Sequence, residues 1–146
     1  MGLILCATRG GEASIPTQEK AINLAKERES SLAFLYVADS SFLDKIAAAV
    51  VVDVDEELTH MGEFLLTMAV ERAAEQGVVA QSVTRTGIIR EVLPEVAREL
   101  GATMIVLGRP AGESSRFQES EFERFCEWLQ EETNASVVVH EEPRES

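Results

Sequence analysis

The chain is short of positive charge. Its 13 lysines and arginines stand against 26 aspartates and glutamates, a formal net charge of −13 at pH 7. Nucleic-acid binders draw most of their affinity from a basic surface, and anionic membranes attract polybasic segments. Neither nucleic acid nor a membrane surface is therefore an expected partner. Cysteine is scarce too. Cys6 and Cys126 are far apart and lie in apolar patterns, which predicts two buried, reduced thiols rather than a disulfide or a redox pair. Long apolar runs are missing. Residues 46–52 are too few to span a bilayer. The N-terminal run has no basic flank and is too short for a signal peptide. The cytoplasm is the expected compartment. His60 and His140 are isolated, with no Cys or His at metal spacing, so no metal site is expected. The acidic run Asp53-Val54-Asp55-Glu56-Glu57 is explained as a first helical turn favoured by the helix dipole. No Ser-His-Asp, Cys-His or Gly-x-Ser-x-Gly arrangement is present, and nothing argues for catalysis.

What is present is an alternation of strand-like and helix-like segments. The length of 146 residues fits one domain, able to bury about two-thirds of its unfolded surface without disulfides or metal. Residues 3–8 read as a buried strand. Gly10-Gly11 turns the chain, Ser14 can cap a helix, and Pro16 falls in its first turn. Ile15, Ala21, Ile22 and Ala25 give that helix an apolar stripe. Residues 32–38 form a second buried strand, and residues 40–54 read as irregular or briefly helical. A patch at 46–52 is either a connection over the sheet edge or a partner-binding surface. A long helix follows, with Leu58, Met61, Leu65 and Ala69 on one face and Gly77 as its stop. Residues 78–86 alternate as an edge strand does. Ile89, Val92, Leu93, Val96, Ala97 and Leu100 form a helical stripe ending at Gly101, and Pro94 requires a late start or a bend. Residues 103–107 are the fourth strand. The last helix carries Phe122, Phe125, Cys126 and Leu129, with Ser120 and Glu123 spaced as a capping box. Trp128 lies off that stripe, where it could reach a dimer surface. Residues 135–140 form the fifth strand, and the acidic tail 141–146 is expected to fray. Strands joined by helices predict an α/β fold, an open parallel sheet covered on both faces.

One junction carries the functional signal. The run Ala102-Thr103-Met104-Ile105-Val106-Leu107 breaks at Gly108-Arg109-Pro110-Ala111-Gly112. A glycine ending a buried strand lets the backbone turn and approach a ligand. Ligands in open α/β sheets sit at the carboxyl ends of strands where strand order reverses.

The order of these segments resembles the universal stress protein family over almost the whole chain. Ile4-Leu5-Cys6-Ala7-Thr8-Arg9-Gly10-Gly11-Glu12-Ala13-Ser14 resembles the opening strand and turn of that family, and Leu32-Ala33-Phe34-Leu35-Tyr36-Val37-Ala38-Asp39 its second strand. Thr86-Gly87 with Ile89 and Val92 resembles the turn into its third helix. Leu100-Gly101-Ala102-Thr103-Met104-Ile105-Val106-Leu107-Gly108 resembles its Gly-Ala-Asp segment, and Val137-Val138-Val139 its closing strand. The resemblance implies a Rossmann-like five-stranded sheet of order 3-2-1-4-5, frequent homodimers, and roles in stress survival or signalling.

The departures from the family pattern fall where ATP-binding members hold nucleotide. Their acid after the first strand is Arg9 here, which can only donate. Their phosphate segment is Gly, two residues, Gly, nine residues, then Gly with Ser or Thr. Gly108 matches the first glycine, Ala111 stands at the second with Gly112 one place late, and Glu121-Phe122 replaces the closing pair. A carboxylate there would repel a phosphate by about 4 kcal/mol per charge pair at about 4 Å near a surface. The expectation is a homodimeric stress or interaction protein without ATP and without a resident cofactor. The alternative is a nucleotide (ATP or AMP) or small-anion binder. Its candidate ligand residues are Thr8, Arg9, Gly10, Ala38, Gly108, Arg109, Gly112, Ser115 and Arg116. Arg9 and Arg109 would flank the reversal point as an anion site, unless Glu12, Glu113 or Glu119 pairs with each. An enzyme of the wider adenine-nucleotide α-hydrolase-like group is disfavoured by the missing phosphate loop. The dimer is expected along Val137, Val138 and Val139, an apolar sheet edge with no Pro or Lys inside it. Other protein partners remain open.

Overall fold

The computed structural model describes residues 2–8, 14–38, 51–110 and 116–142, with the backbone alone at 51–59, 109–110, 116–120 and 141–142. Five strands alternate with four helices: β1 (Leu3–Ala7), α1 (Ile15–Arg28), β2 (Ser31–Ala38), α2 (Val51–Glu75), β3 (Ala80–Thr86), α3 (Ile89–Leu100), β4 (Met104–Pro110), α4 (Arg116–Thr133) and β5 (Ser136–Glu142). The strands form one parallel sheet in the order β3-β2-β1-β4-β5. The parallel sheet is what the alternation of segments predicts, and its order is the one implied by the resemblance to the universal stress protein family.

The period of two along each strand divides the core into two layers. Ile4, Cys6, Leu32, Phe34, Met104 and Val106 pack with Ala21, Ile22 and Ala25 of α1 and Leu66, Ala69 and Ala73 of α2. Leu5, Ala7, Ala33, Leu35, Ile105 and Leu107 pack on the other face with Leu93, Val96 and Ala97 of α3 and Leu129 of α4. Burial on both faces explains why β1, β2 and β4 read as continuous apolar runs rather than alternating ones. Cys6 belongs to the first layer and Cys126 packs against the second, so the sheet separates them. Only Cys6 is fully buried, and Cys126 is half-buried.

Several boundaries differ from the sequence expectation. The buried face of α2 is Gly62, Leu66, Ala69 and Ala73, not the face through Met61 and Leu65. Met61 is 49% exposed, and Phe64 is 66% exposed. Gly62 sets this orientation. It sits against the Tyr36 ring, where a side chain would collide with it. The helix therefore approaches the sheet through its smallest residue, with Leu66 buried beside it, and Met61, Phe64 and Met68 turn outward. In α3, which runs from Ile89, Pro94 stands inside the helix and is buried, so of the two readings the late start does not hold. In α4, Ser120 and Glu123 lie within the helix rather than at its cap, because the helix begins at Arg116.

Candidate functional site at the carboxyl ends of the strands

The chain passes from β1 outward to β2 and β3, then crosses to β4 and β5 on the other side. The reversal point therefore lies between β1 and β4, as expected. Ile4, Leu5 and Cys6 align with Met104, Ile105 and Val106. The same register, extended two residues, sets Thr8 level with Gly108.

Gly108 does not turn the chain. β4 runs on through Gly108, Arg109 and Pro110, aligned with His140, Glu141 and Glu142 of β5. The pairing of β4 with β1 runs only to Cys6 and Val106, so among the described residues this last stretch is paired with β5 alone, and a proline, lacking its N–H, is tolerated where a strand side carries no ladder. The same pairing corrects the reading of the tail: Glu141 and Glu142 continue β5 instead of fraying.

Beneath the end of β1 lies a buried polar chain. The Thr8 N–H donates to the Leu35 carbonyl at 2.9 Å, extending the ladder by one residue. The Thr8 hydroxyl accepts from Gln18 Nε2 at 2.9 Å. Gln18 Oε1 in turn accepts from the Arg72 guanidinium. Gln18 is 2% exposed, and its burial is tolerable because both ends of its amide are engaged. Three elements, β1, α1 and α2, are thus tied at the candidate site. Ser14 and Thr17 are buried beside this chain in sequence, and the Thr17 hydroxyl has no hydrogen-bond partner among the described residues. Ser14 occupies the N-cap position of α1 but makes no side-chain cap. Pro16 lies in the first turn as expected. Sequence reasoning missed Gln18. The available signal was its position: with Ala21, Ile22 and Ala25 it completes an i, i+3, i+4, i+7 series, so a polar residue stands in the apolar stripe.

Of the candidate ligand residues, Thr8 is buried at the end of β1, Ala38 is buried at the end of β2, and Gly108 is half-buried in β4. The Ala38 carbonyl accepts from the Gly87 N–H at 3.0 Å. Arg9, Gly10, Gly112 and Ser115 lie outside the described residues, as do Glu12 and Glu113 and residues 46–50. Arg109 is placed by its backbone opposite Glu141, and Arg116 by its backbone as the first residue of α4. Glu121 stands in α4, five residues past the start at Arg116. Its N–H belongs to the helix interior, where amides bond the carbonyl four residues back. No group of three His, Cys, Asp or Glu could hold a metal ion among the described residues. No described helix is long and apolar enough to cross a membrane.

The second candidate surface is the outer edge of β5. The Ser136 N–H donates inward to the Thr103 carbonyl at 3.1 Å. The Val137 N–H donates instead to Gln130 Oε1 of α4 at 3.1 Å. Backbone groups alternate sides along a strand. Ser136, Val138 and His140 therefore face β4, and Val137 and Val139 face the free edge. Of the three expected edge residues, Val138 is the one whose backbone is committed inward.

The universal stress protein family model matches residues 1–125. The universal stress protein YxiE of Bacillus subtilis (strain 168) is 29% identical over 113 residues, covering 72% of this chain and 76% of that protein. The fold is shared with the universal stress protein UspA of Lactobacillus plantarum, at a TM-score of 0.72 and 18% identity, covering 94% of this chain and 96% of that one. It is shared also with a universal stress protein solved in complex with cAMP, at a TM-score of 0.68 and 19% identity, covering 95% and 96%. The parallel sheet of order 3-2-1-4-5, with its reversal between β1 and β4, is thus matched along the sequence as well as in space: the chain belongs to the universal stress protein family.

Proposed function

We propose that this chain is a non-catalytic, cytoplasmic binding and signalling protein of the stress response, acting as a homodimer without Mg-ATP. The observation that carries the ATP part is the start of α4 at Arg116. ATP-binding relatives are expected to present free amides and a hydroxyl at the position of Glu121-Phe122. Here that position is already helix interior, and its first residue is a carboxylate. The amides are committed to the helix, and the added charge opposes a triphosphate. The homodimer reading rests on β5, an edge strand whose Val139 and Glu141 amides alternate to the outer side, the Val137 amide being held by Gln130, with no Lys or Pro between residues 136 and 142. Two such edges paired about a two-fold axis would satisfy each other and close the assembly.

A second reading has its own support. One structural relative is a universal stress protein in complex with cAMP, and the buried Thr17 hydroxyl, without a partner among the described residues, lies on the helix that follows β1. A nucleoside monophosphate needs fewer phosphate donors than ATP, so the loss of the closing Gly-Ser/Thr pair weighs less against it.

Isothermal titration separates the two. The expected result is no heat with Mg-ATP at millimolar concentration. A micromolar dissociation constant for Mg-ATP would overturn the first reading. Binding of cAMP or AMP alone would establish the second.

A further inference from the structure

Between α3 and α4, on the outer surface, lies a groove of about 360 Å³ lined by Arg90, Glu121, Arg124, Phe125 and Trp128. All five residues are helical, and of them only Glu121 stands at a position that the nucleotide reading uses. The Phe125 and Trp128 rings stack with centroids 6.0 Å apart and planes inclined by 28°. The Arg90 guanidinium lies over the Phe125 ring, 5.7 Å from its centre. Trp128 remains 43% exposed. A guanidinium held over a ring by cation–π attraction still has N–H donors to offer an anion.

The charges are unusual for this chain. Acids outnumber bases two to one. Arg85 pairs with Glu99 and Arg98 with Glu132, but neither Arg90 nor Arg124 forms an ion pair among the described residues. Two guanidiniums and one carboxylate therefore share an aromatic groove, a local excess of one positive charge on an acidic protein.

We propose that this groove binds a flat aromatic ring carrying a single carboxylate. The ring would stack on the exposed face of Trp128, and the carboxylate would take the N–H donors of Arg90 and Arg124. Three observations select this class. The volume falls at the lower end of small-molecule sites, roughly 300–1,000 Å³. A neutral ring would forgo both guanidiniums. A polyanion would meet Glu121 on the rim and the field of a chain of net charge −13, with each further negative charge adding to the repulsion.

The chain contains one tryptophan, so the Trp128 indole N–H gives a single cross-peak in a proton–nitrogen correlation spectrum. That peak is followed during titration with 2-naphthoate, with its uncharged isostere 2-naphthamide, and with an oligoglutamate peptide. The expected result is a saturable shift with 2-naphthoate, and binding of 2-naphthamide weaker by about tenfold or more. Arg124→Gln and Arg90→Gln each weaken naphthoate binding by a similar factor, while Glu121→Gln strengthens it. All three side chains are on the surface of α3 or α4, and the amide probe needs no variant. No saturable shift with naphthoate, equal binding of the amide, or arginine variants that bind as the parent does would overturn the proposal. A response to oligoglutamate alone would overturn it as well, since the groove would then be a docking site for an acidic protein segment.

Discussion

Two proline substitutions one residue apart on β5 should have opposite consequences. Val138 faces its backbone toward β4, and Val139 faces the free edge. In Val138→Pro, the N–H that β4 accepts is lost. A β4 carbonyl is left without its donor in a packed sheet, at about 1–3 kcal/mol, and the ring presses on the neighbouring strand. A total of about 3 kcal/mol is expected, a large share of a typical stability of about 5–15 kcal/mol. In Val139→Pro no ladder bond is broken. The side chain is half-buried in both residues, so the stability change should stay below about 1 kcal/mol. The edge, however, loses its central uncapped amide and keeps only that of Glu141, because the Val137 amide is already held by Gln130. Urea unfolding followed by circular dichroism, over a range of protein concentrations, measures the first effect. Light scattering on the parent and both variants at tens of micromolar measures the second, with the proposed dimer expected of the parent. The expected pattern is a destabilised Val138→Pro and a stable but monomeric Val139→Pro. Equal destabilisation would refute the assignment of strand sides. A Val139→Pro that stays dimeric would refute the edge as the dimer surface.

Gln130→Ala should free the Val137 amide for a partner strand. The dimer should tighten, with monomer stability changing by no more than about 1 kcal/mol for one exposed hydrogen bond; a weaker dimer by analytical ultracentrifugation would mean that Gln130 itself contributes to the interface. Burial raises the Tyr36 phenol above its ordinary value of 10.0. The folded state then holds the proton more tightly than the unfolded chain. This contribution to stability is complete below the ordinary value and is lost as pH rises through the folded one. Because the chain has one tyrosine, phenolate absorbance reports it directly, and a titration at or below the value of a free tyrosine would contradict the packing of its ring against α2.

The sequence by itself determined the architecture. Continuous apolar runs at Ile4-Leu5-Cys6-Ala7, Leu32-Ala33-Phe34-Leu35 and Ile105-Val106-Leu107 can be satisfied only by strands covered on both faces. With helical stripes between them, they require a parallel sheet, and the spacing of segments matches one family. The resemblance to that family implied the strand order and with it the reversal point, and the helical pattern singled out Trp128 as lying off the buried stripe. Tertiary structure alone decided where the elements end and which way their residues face. Gly108 reads as a turn because glycine permits one, yet β5 is long enough to carry β4 on to Pro110. The α2 stripe through Met61 and the one through Gly62 are both helical in period, and the Tyr36 ring chose between them. No pattern in Val137-Val138-Val139 tells which amide faces outward, since the three side chains are identical. The hydrogen bonds of Ser136 and Val137 decide it. The Thr8–Gln18–Arg72 chain and the arginine–aromatic groove join residues far apart in sequence, 54 positions between Gln18 and Arg72. Their chemistry comes from packing between elements, which no local reading of the chain contains.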